Sequence, residues 1–274
     1  MMSEYISSRK NPLLQQVKKL LSSKKERENA GLFVADGTKL LQEAVKYYPG
    51  LHTVILSEDV EAEVPDHVRL VRVPADVMAS ISPMETPQGA LFLCRLPEKK
   101  EFSPKPGMLL LDGIQDPGNI GTILRTADAL EIPVVLLEGC ADPYSHKVVR
   151  SSMGAVFRTP VYQTTWKTAK EACVNAGIPV AVTTLSDRAR DIRDADLKKM
   201  AVVIGQKTQF PVITGSIFEF GFSDSLLQMF AAFVSELRGL PCSFGCFRPD
   251  EAKRSHELLT AALESHATRR MVDL

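Results

Sequence analysis

An asparagine and an arginine stand six residues apart in "LDGIQDPGNIGTILRTADAL", residues 111–130. An amide both donates and accepts hydrogen bonds, and a guanidinium keeps its charge in proteins. Asn119 and Arg125 could therefore orient a polar ligand and offset negative charge that develops on it. The plainer interpretation is that Asn119 only caps a helix and Arg125 is only a surface charge.

The elements around these residues place them at the edge of a sheet. The apolar run before Asp112 predicts a buried strand, Pro117 and Gly118 predict a tight turn, and a helix is predicted over 119–131. Gly121 costs about 1 kcal/mol in a helix relative to alanine, so close approach of a neighbour is expected there. In an open parallel sheet, ligands bind where strands lead into helices. Gly121, Arg125 and Asp128 are predicted to share one helix face.

The same half of the chain alternates strands and helices throughout. Strands are predicted in "GMLLLDGI", "PVVLLEG", "RTPVYQ", "PVAVTTL" and "MAVVIG", with helices near 145–154 and 166–176. Runs such as "VVLL" and "AVVI" are apolar on both faces, which is typical of a covered parallel sheet. A doubly wound α/β domain is predicted over 108–205. A dinucleotide-binding site is disfavoured because Gly113, Gly118 and Gly121 do not form its glycine pattern.

The N-terminal half predicts a second, smaller α/β domain over residues 1–96. Residues 1–30 predict a basic helix, followed by short strands and the helix "TKLLQEAVKYY", and "ISPMETPQGALFLCRL" predicts a loop and a final strand. "PEKKEFSPKPG", residues 97–107, has three prolines and three basic residues and predicts a linker. Residues 206–274 form a tail of different composition, discussed below.

Composition narrows the class of protein. The 274 residues are 45% hydrophobic and 24% charged, and 33 basic residues balance 33 acidic ones. This balance is typical of a soluble globular protein, and it leaves room for a local basic patch. Five scattered cysteines predict reduced thiols and a cytoplasmic protein. No metal is expected, since Cys242, Cys246 and His256 lack the paired spacing of zinc sites. The polar N-terminus is no secretory signal, and no apolar run predicts a membrane span.

The segment with Asn119, followed by "CADPYSHKVVRSSMGAVFRTPVYQ", resembles the SpoU (TrmH) branch of the SPOUT RNA methyltransferases. N-x-G-x-x-x-R and K-V-V-R-x-S-M-G carry the resemblance, which extends from about Ile6 to Gly205. It also covers "SSRKNPLLQQVKKL", "GLFVADGTKLLQEAV" and "ETPQGALFLCRL", which match an N-terminal RNA-binding domain. The resemblance implies a trefoil-knotted fold, a homodimer with its site at the interface, and methyl transfer from S-adenosylmethionine to a ribose 2′-hydroxyl of ribosomal or transfer RNA.

The resemblance assigns roles to particular residues. Asn119 would orient the ribose, and Arg125 would stabilise the forming oxyanion as a fixed cation. Thr184, Leu185 and Gly205 would lie at the cofactor. The residues implied in RNA binding are Arg9, Lys10, Lys18, Lys19, Lys39, Arg150 and Ser152. For the basic helix, a solvated surface is the alternative, and for Ser152 the alternative is a packed interface. His146 is expected to be an exposed loop residue.

The resemblance stops abruptly after Gly205. The family pattern continues as I-G-x-E-G-x-G and later Ser-Leu-Asn, whereas this chain reads "IGQKTQFPVITGSIFEFGF". Genuine divergence would leave an RNA-binding protein without a cofactor site. A shift of reading frame after Gly205 would leave an active parent gene and an impaired product, and the abruptness favours this explanation. Either way, we expect weak cofactor binding and an incomplete knot. The rival function is a non-catalytic RNA-binding protein.

Overall fold

Two five-stranded sheets, each with its own helices, make up the part of the chain described by the computed structural model. That part comprises residues 4–98, 102–183 and 195–205, all within one compact unit, Met1–Leu227. The α/β class predicted from the sequence is confirmed. The predicted knot involves residues outside the described ranges and stays a prediction.

The N-terminal sheet has the strand order β1-β4-β3-β5-β2. β1, β4 and β3 are parallel, whereas β5 runs antiparallel to both β3 and β2. The elements of this half are β1 (Glu4–Tyr5), α1 (Pro12–Ser22), α2 (Lys24–Ala30), β2 (Leu32–Asp36), α3 (Thr38–Tyr47), β3 (Leu51–Ser57), β4 (Arg69–Val73), α4 (Ala75–Ile81) and β5 (Ala90–Arg95). The apolar face of α1, with Leu14, Val17 and Leu20 buried, packs into a core with Ile55 and Val71.

The predicted basic helix over residues 1–30 is two helices and a short strand. Ser23 has an extended backbone, with φ −133°, and its Oγ accepts a hydrogen bond from the amide of Glu26 at 3.3 Å. A serine in this conformation caps a new helix, so α1 ends and α2 begins there. Helix α4 was not predicted, because seven residues give too little helical periodicity to detect.

The C-terminal sheet is parallel throughout, in the order β8-β7-β6-β10-β9, as the apolar runs predict. Its elements are β6 (Leu109–Asp112), α5 (Pro117–Ala129), β7 (Val134–Leu136), α6 (His146–Ser151), α7 (Ala155–Arg158), β8 (Val161–Gln163), α8 (Trp166–Asn175), β9 (Val180–Val182), a 3-10 turn (Leu197–Lys199) and β10 (Ala201–Gly205). Leu110, Val135 and Val203 belong to its core, together with Ala169 and Cys173 of α8.

The helix predicted near 145–154 is interrupted by two residues in left-handed conformations. Met153 has φ 50° and Gly154 has φ 90°, so the chain turns there before α7 starts. The Gly154 position also lies against α3, because a Cβ there would be 3.0 Å from the Cβ of Glu43. Glycine is therefore required by both the backbone angle and the packing.

Aromatic rings join the two sheets. The ring centroid of Phe33 in β2 lies 5.2 Å from that of Tyr144 and 6.3 Å from that of Phe157. Phe92 in β5 also contacts Phe157, at 6.1 Å. Because these rings are buried, the two halves share apolar surface in addition to their separate cores.

Candidate active site

The carboxyl ends of two central strands lie side by side at the point where the strand order reverses. β6 and β10 are neighbours, with Asp112 paired to Gly205 at their ends. β7 and β8 continue from β6 on one side, whereas β9 lies beyond β10 on the other. Ligands of open parallel sheets bind outside the strand ends at such a switch point.

Gly205 lies directly against the backbone of β6. A Cβ at this position would be 2.6 Å from the carbonyl oxygen of Asp112, so no larger residue fits without displacement of the strand end. The cofactor role of this position is the one that the resemblance implies. Thr184 and Leu185, the other two predicted cofactor residues, are outside the described residues, as are Cys242, Cys246 and His256.

Helix α5 begins two residues earlier than predicted, and its cap is Asp116 and not Asn119. The Oδ2 of Asp116 accepts a hydrogen bond from the amide of Asn119 at 2.7 Å. Pro117 and Gly118, predicted as a tight turn, form the first turn of the helix. Proline is favoured at this position because its missing N–H would have no partner there.

Asn119 is thereby released from the capping role. Asn119 lies in the first turn of α5, and the residue as a whole is only 9% exposed. Its side-chain amide makes no hydrogen bond to any residue that the structure describes. The amide is not among the fully buried unpaired polar atoms of the described residues, so it reaches the surface of a mostly buried residue, where a ligand can contact it.

Arg125 is exposed on the same helix and forms no ion pair with the described residues. Six helical residues separate it from Asn119, which corresponds to about 9 Å along the axis and roughly 120° around it. Within one chain, the two side chains therefore point in different directions. Asp128, predicted on the face of Arg125, is held instead by Arg158 Nε at 2.8 Å and Thr159 Oγ1 at 2.6 Å.

The close approach expected at Gly121 is made by helix α6. A Cβ on Gly121 would lie 2.7 Å from the backbone nitrogen of Ser152 and would overlap the side chain of Ser151. The hydroxyl oxygen of Ser151 also lies 3.1 Å from the carbonyl oxygen of Pro117 and 2.9 Å from that of Lys147, either of which can accept its proton. The two segments that carry the family resemblance thus pack directly on each other.

The second segment does not present all of its predicted residues to solvent. Ser152 is completely buried, and its hydroxyl donates to the carbonyl of Val149 at 2.7 Å. This burial favours the alternative, a residue in a packed interface, over the predicted RNA contact. Arg150 is exposed, and its guanidinium contacts the sulfur of Met84 in the N-terminal half.

His146 is half-buried at the start of α6, which corrects the prediction of an exposed loop histidine. Burial lowers the pKa of its imidazole, and the nearby charges of Lys147 and Arg27 lower it further. A hydrogen bond to the backbone of Leu21 acts in the opposite direction. Its Nδ1 is buried and has no hydrogen-bond partner among the described residues.

Most of the predicted RNA-binding cations are on the surface. Lys10, Lys18, Lys19 and Lys39 are exposed and form no ion pair with the described residues. The guanidinium of Arg9 is also exposed, but it is 2.6 Å from a carboxylate oxygen of Asp76. Lys147, one turn before Arg150, is a further exposed cation that the sequence did not single out.

Among the residues that the structure describes, no group of three or more histidine, cysteine or acidic side chains could hold a metal ion. No helix among them is long and apolar enough to cross a membrane.

The fold of an all-parallel α/β half joined to a mixed α/β half is similar to that of solved RNA methyltransferases. An rRNA methyltransferase from Sinorhizobium meliloti superposes with a TM-score of 0.70 at 24% identity, over 87% of this chain and 98% of that one. The same enzyme with bound AdoMet gives 0.70, over 86% and 98%. At this level of identity, the likeness establishes the fold.

Sequence comparisons identify the family. Residues 106–209 match the SpoU rRNA Methylase family, and residues 11–91 match the MRM3-like substrate binding domain. The 23S rRNA (guanosine(2553)-2′-O)-methyltransferase RlmP of Bacillus subtilis is 32% identical over 206 residues, which cover 74% of this chain and 82% of RlmP. The mitochondrial rRNA methyltransferase 3 of Xenopus tropicalis is 35% identical over 54% of this chain but only 39% of its own length. The chain belongs to the SpoU rRNA methylase family, whose members are methyltransferases that use S-adenosylmethionine.

Proposed function

We propose that the function encoded by this fold is methyl transfer from S-adenosylmethionine to a ribose 2′-hydroxyl of ribosomal RNA, and that the transfer is impaired in this chain. Ribosomal RNA is preferred over transfer RNA as the substrate because the relatives RlmP and rRNA methyltransferase 3 are named for it. The cytoplasmic location remains a prediction from the sequence.

The observation that carries the proposal is the position of Asn119. Its amide lies in the first turn of the helix that follows β6, beside the switch point, and it has no partner among the described residues. Asp116 performs the capping, so the asparagine is available for a ligand. An amide can accept a hydrogen bond from one ribose hydroxyl and donate to the oxygen of another.

A ribose hydroxyl is a poor nucleophile at neutral pH, so the oxygen must be oriented and its developing charge stabilised. Asn119 would hold the hydroxyl, and the Arg125 guanidinium would face the developing alkoxide as a fixed cation. S-adenosylmethionine supplies the methyl group when it is bound. No metal is assigned to this reaction.

We further propose that a second copy of the chain completes the site. Asn119 and Arg125 project about 120° apart around α5, so one helix cannot direct both at the same oxygen. A homodimer with the site at its interface, as the resemblance implies, would bring an arginine from another copy. Sedimentation or light scattering of the full chain measures its mass in solution, and the mass of a dimer is expected.

The impairment follows from the sequence after β10. Gly205 lies against Asp112, but Lys207 and Thr208 stand where the family pattern has Glu and Gly. The match to the SpoU family ends at residue 209. The residues present therefore fit the cofactor only in part.

Isothermal titration of the full-length chain with S-adenosylmethionine tests the impairment. We expect no saturable heat, or a dissociation constant far above the micromolar range. A low-micromolar dissociation constant would contradict it. Transfer of labelled methyl from the cofactor to ribosomal RNA, followed by mapping of the modified sugar, tests the reaction itself. Methylation of a base in place of the ribose would overturn the proposed reaction.

Translation of the coding DNA across the codons for Ile204 to Phe247 in all three frames tests the cause. A frame that reads through I-G-x-E-G-x-G and Ser-Leu-Asn supports a frame shift, and the enzyme assignment then applies to the repaired chain. If no frame does, the divergence is genuine. The exposed lysines without ion-pair partners in the N-terminal half then favour the alternative function, a non-catalytic RNA-binding protein.

A further inference from the structure

The ion pair between Arg27 and Asp142 is the most deeply buried of those formed by the described residues. The two side chains are only 7% and 13% exposed, whereas every other described pair has at least one side chain that is more than a quarter exposed. Its members are 115 positions apart in the chain. A buried pair is expensive to desolvate, so its net contribution to stability is small even where its geometry is fixed.

All three guanidinium nitrogens of Arg27 are hydrogen-bonded, one within the N-terminal half and two to Asp142 in the C-terminal half. Nη1 donates to the carbonyl of Leu20 at the end of α1, at 2.6 Å. Nε and Nη2 both donate to Oδ2 of Asp142, at 3.0 and 2.6 Å. Both bonds converge on one carboxylate oxygen, so they fix the position of Oδ2.

Asp142 in turn organises the entry to α6. Its other oxygen, Oδ1, accepts from the amide of Tyr144 at 3.0 Å, and its carbonyl accepts from the amide of Ser145 at 3.1 Å. The preceding amide, that of Ala141, donates to the carbonyl of Ile114 at 2.8 Å. Ile114 belongs to the turn that leads from β6 into α5.

Helix α6 then contacts the first turns of α5. Ser151 Oγ lies within hydrogen-bonding distance of the carbonyl of Pro117, and the Gly121 position has no room for a side chain beside Ser151 and Ser152. A continuous set of contacts therefore runs from α1 and α2 through Asp142 and α6 to the helix that carries Asn119. Packed elements with fixed hydrogen bonds can transmit such positioning between sites.

We propose that Arg27 and Asp142 are positioning residues that set the placement of α6 and α5, and hence of Asn119, relative to the RNA-binding half. The role of these two residues in positioning a catalytic amide rests on the proposed function. The link between the two halves does not rest on it, because contacts within the chain alone define that link.

Amide hydrogen exchange of the full chain tests the link with the double variant R27M/D142N. Loss of one partner alone would leave a buried unpaired charge and could unfold the chain, whereas the double variant leaves none. The D142N substitution also keeps a side-chain oxygen for the amide of Tyr144, so the local turn is retained. The control R69M/E4Q removes the exposed pair between β4 and β1.

We expect amides in residues 119–125 and 144–152 to exchange about tenfold faster in R27M/D142N, with β3 and β5 unchanged. R27K keeps the charge but has a single nitrogen in place of the two that donate to Oδ2. Its exchange rates should fall between those of this variant and those of the wild type. Exchange within twofold of the wild type in both segments would overturn the proposal. Equal acceleration in β3 and β5 would also overturn it, because it would indicate general destabilisation.

A second measurement separates positioning from simple stability. In the wild type, ribosomal RNA fragments should slow exchange in residues 119–125, and in R27M/D142N the same RNA should bind equally well without this slowing. Slowing that persists in the variant contradicts the positioning role. If the wild type binds no RNA in a filter assay, the proposed function fails, whereas the exchange result without RNA still decides the link.

Discussion

At the scale of single residues, the start of α5 divides two tasks between two polar side chains. Asp116 satisfies the first turn of the helix through the amide of Asn119, at 2.7 Å. Asn119 itself is buried with an unpaired side-chain amide among the described residues. Capping and ligand contact are therefore performed by different residues, although either could cap by its chemistry.

Substitution of the two residues should affect the stability of the chain differently. Asp116→Ala removes the cap and should destabilise the chain by about 1 kcal/mol, a shift in Tm of roughly 2–4 °C for a domain of this size. Asn119→Ala should leave Tm nearly unchanged, and Asp116→Asn, which retains a capping oxygen, serves as the matched control. Thermal unfolding followed by circular dichroism measures all three. A larger loss for Asn119→Ala than for Asp116→Ala would assign the cap to the asparagine.

At the scale of elements, the contact between α5 and α6 depends on the absence of a side chain at Gly121. Position 121 faces the side chain of Ser151 and the backbone of Ser152. Helical propensity alone disfavours glycine here, by about 1 kcal/mol relative to alanine. The packing must therefore outweigh the propensity.

Gly121→Ala distinguishes the two effects by the sign of the stability change. In open space, alanine would stabilise the helix by about 1 kcal/mol. Against α6, overpacking should cost about 1–3 kcal/mol, so we expect a net loss in the free energy of unfolding measured in urea. Ser151→Ala, which retains the space, is the control. A gain in stability for Gly121→Ala would show that the helices can separate without cost.

At the scale of the whole molecule, a neutral chain carries separate regions of positive charge. Lys18 and Lys19 are exposed on α1, and no described acidic residue pairs with them. Lys167 and Lys170 are similarly exposed on α8, in the other half of the chain. Phosphate contacts depend on where such cations lie and not on net charge.

The double substitution K18Q/K19Q should weaken RNA binding and reduce the salt dependence of the binding constant by about one to two phosphate contacts. K167Q/K170Q makes the same change in charge and should leave both quantities nearly unchanged. Fluorescence anisotropy with a labelled ribosomal RNA fragment at several salt concentrations provides the comparison. Equal losses for the two variants would indicate a nonspecific effect of charge and contradict an RNA-binding α1.

Much of the local structure follows from the sequence alone. Apolar runs such as "VVLL" predict the parallel strands, and the turn after Asp112 predicts a ligand site at the strand ends, because both signals depend on near neighbours in the chain. The first family segment is likewise contiguous, so Asn119 and Arg125 could be selected without coordinates. Helix α4 escaped detection because it is too short for its periodicity to be seen.

Other features depend on residues that meet only after folding. Arg27 reads as one more cation of a basic helix, but in the fold it lies buried against Asp142, 115 positions away. The sequence places Asp128 on the face of Arg125, but it does not show that Arg158 and Thr159, at the end of α7, donate hydrogen bonds to its carboxylate. Ser152 reads as an RNA contact and is enclosed by packing. Periodicity reports on a helix or strand one at a time, whereas burial and charge pairing depend on which elements pack together, and only the tertiary structure decides that.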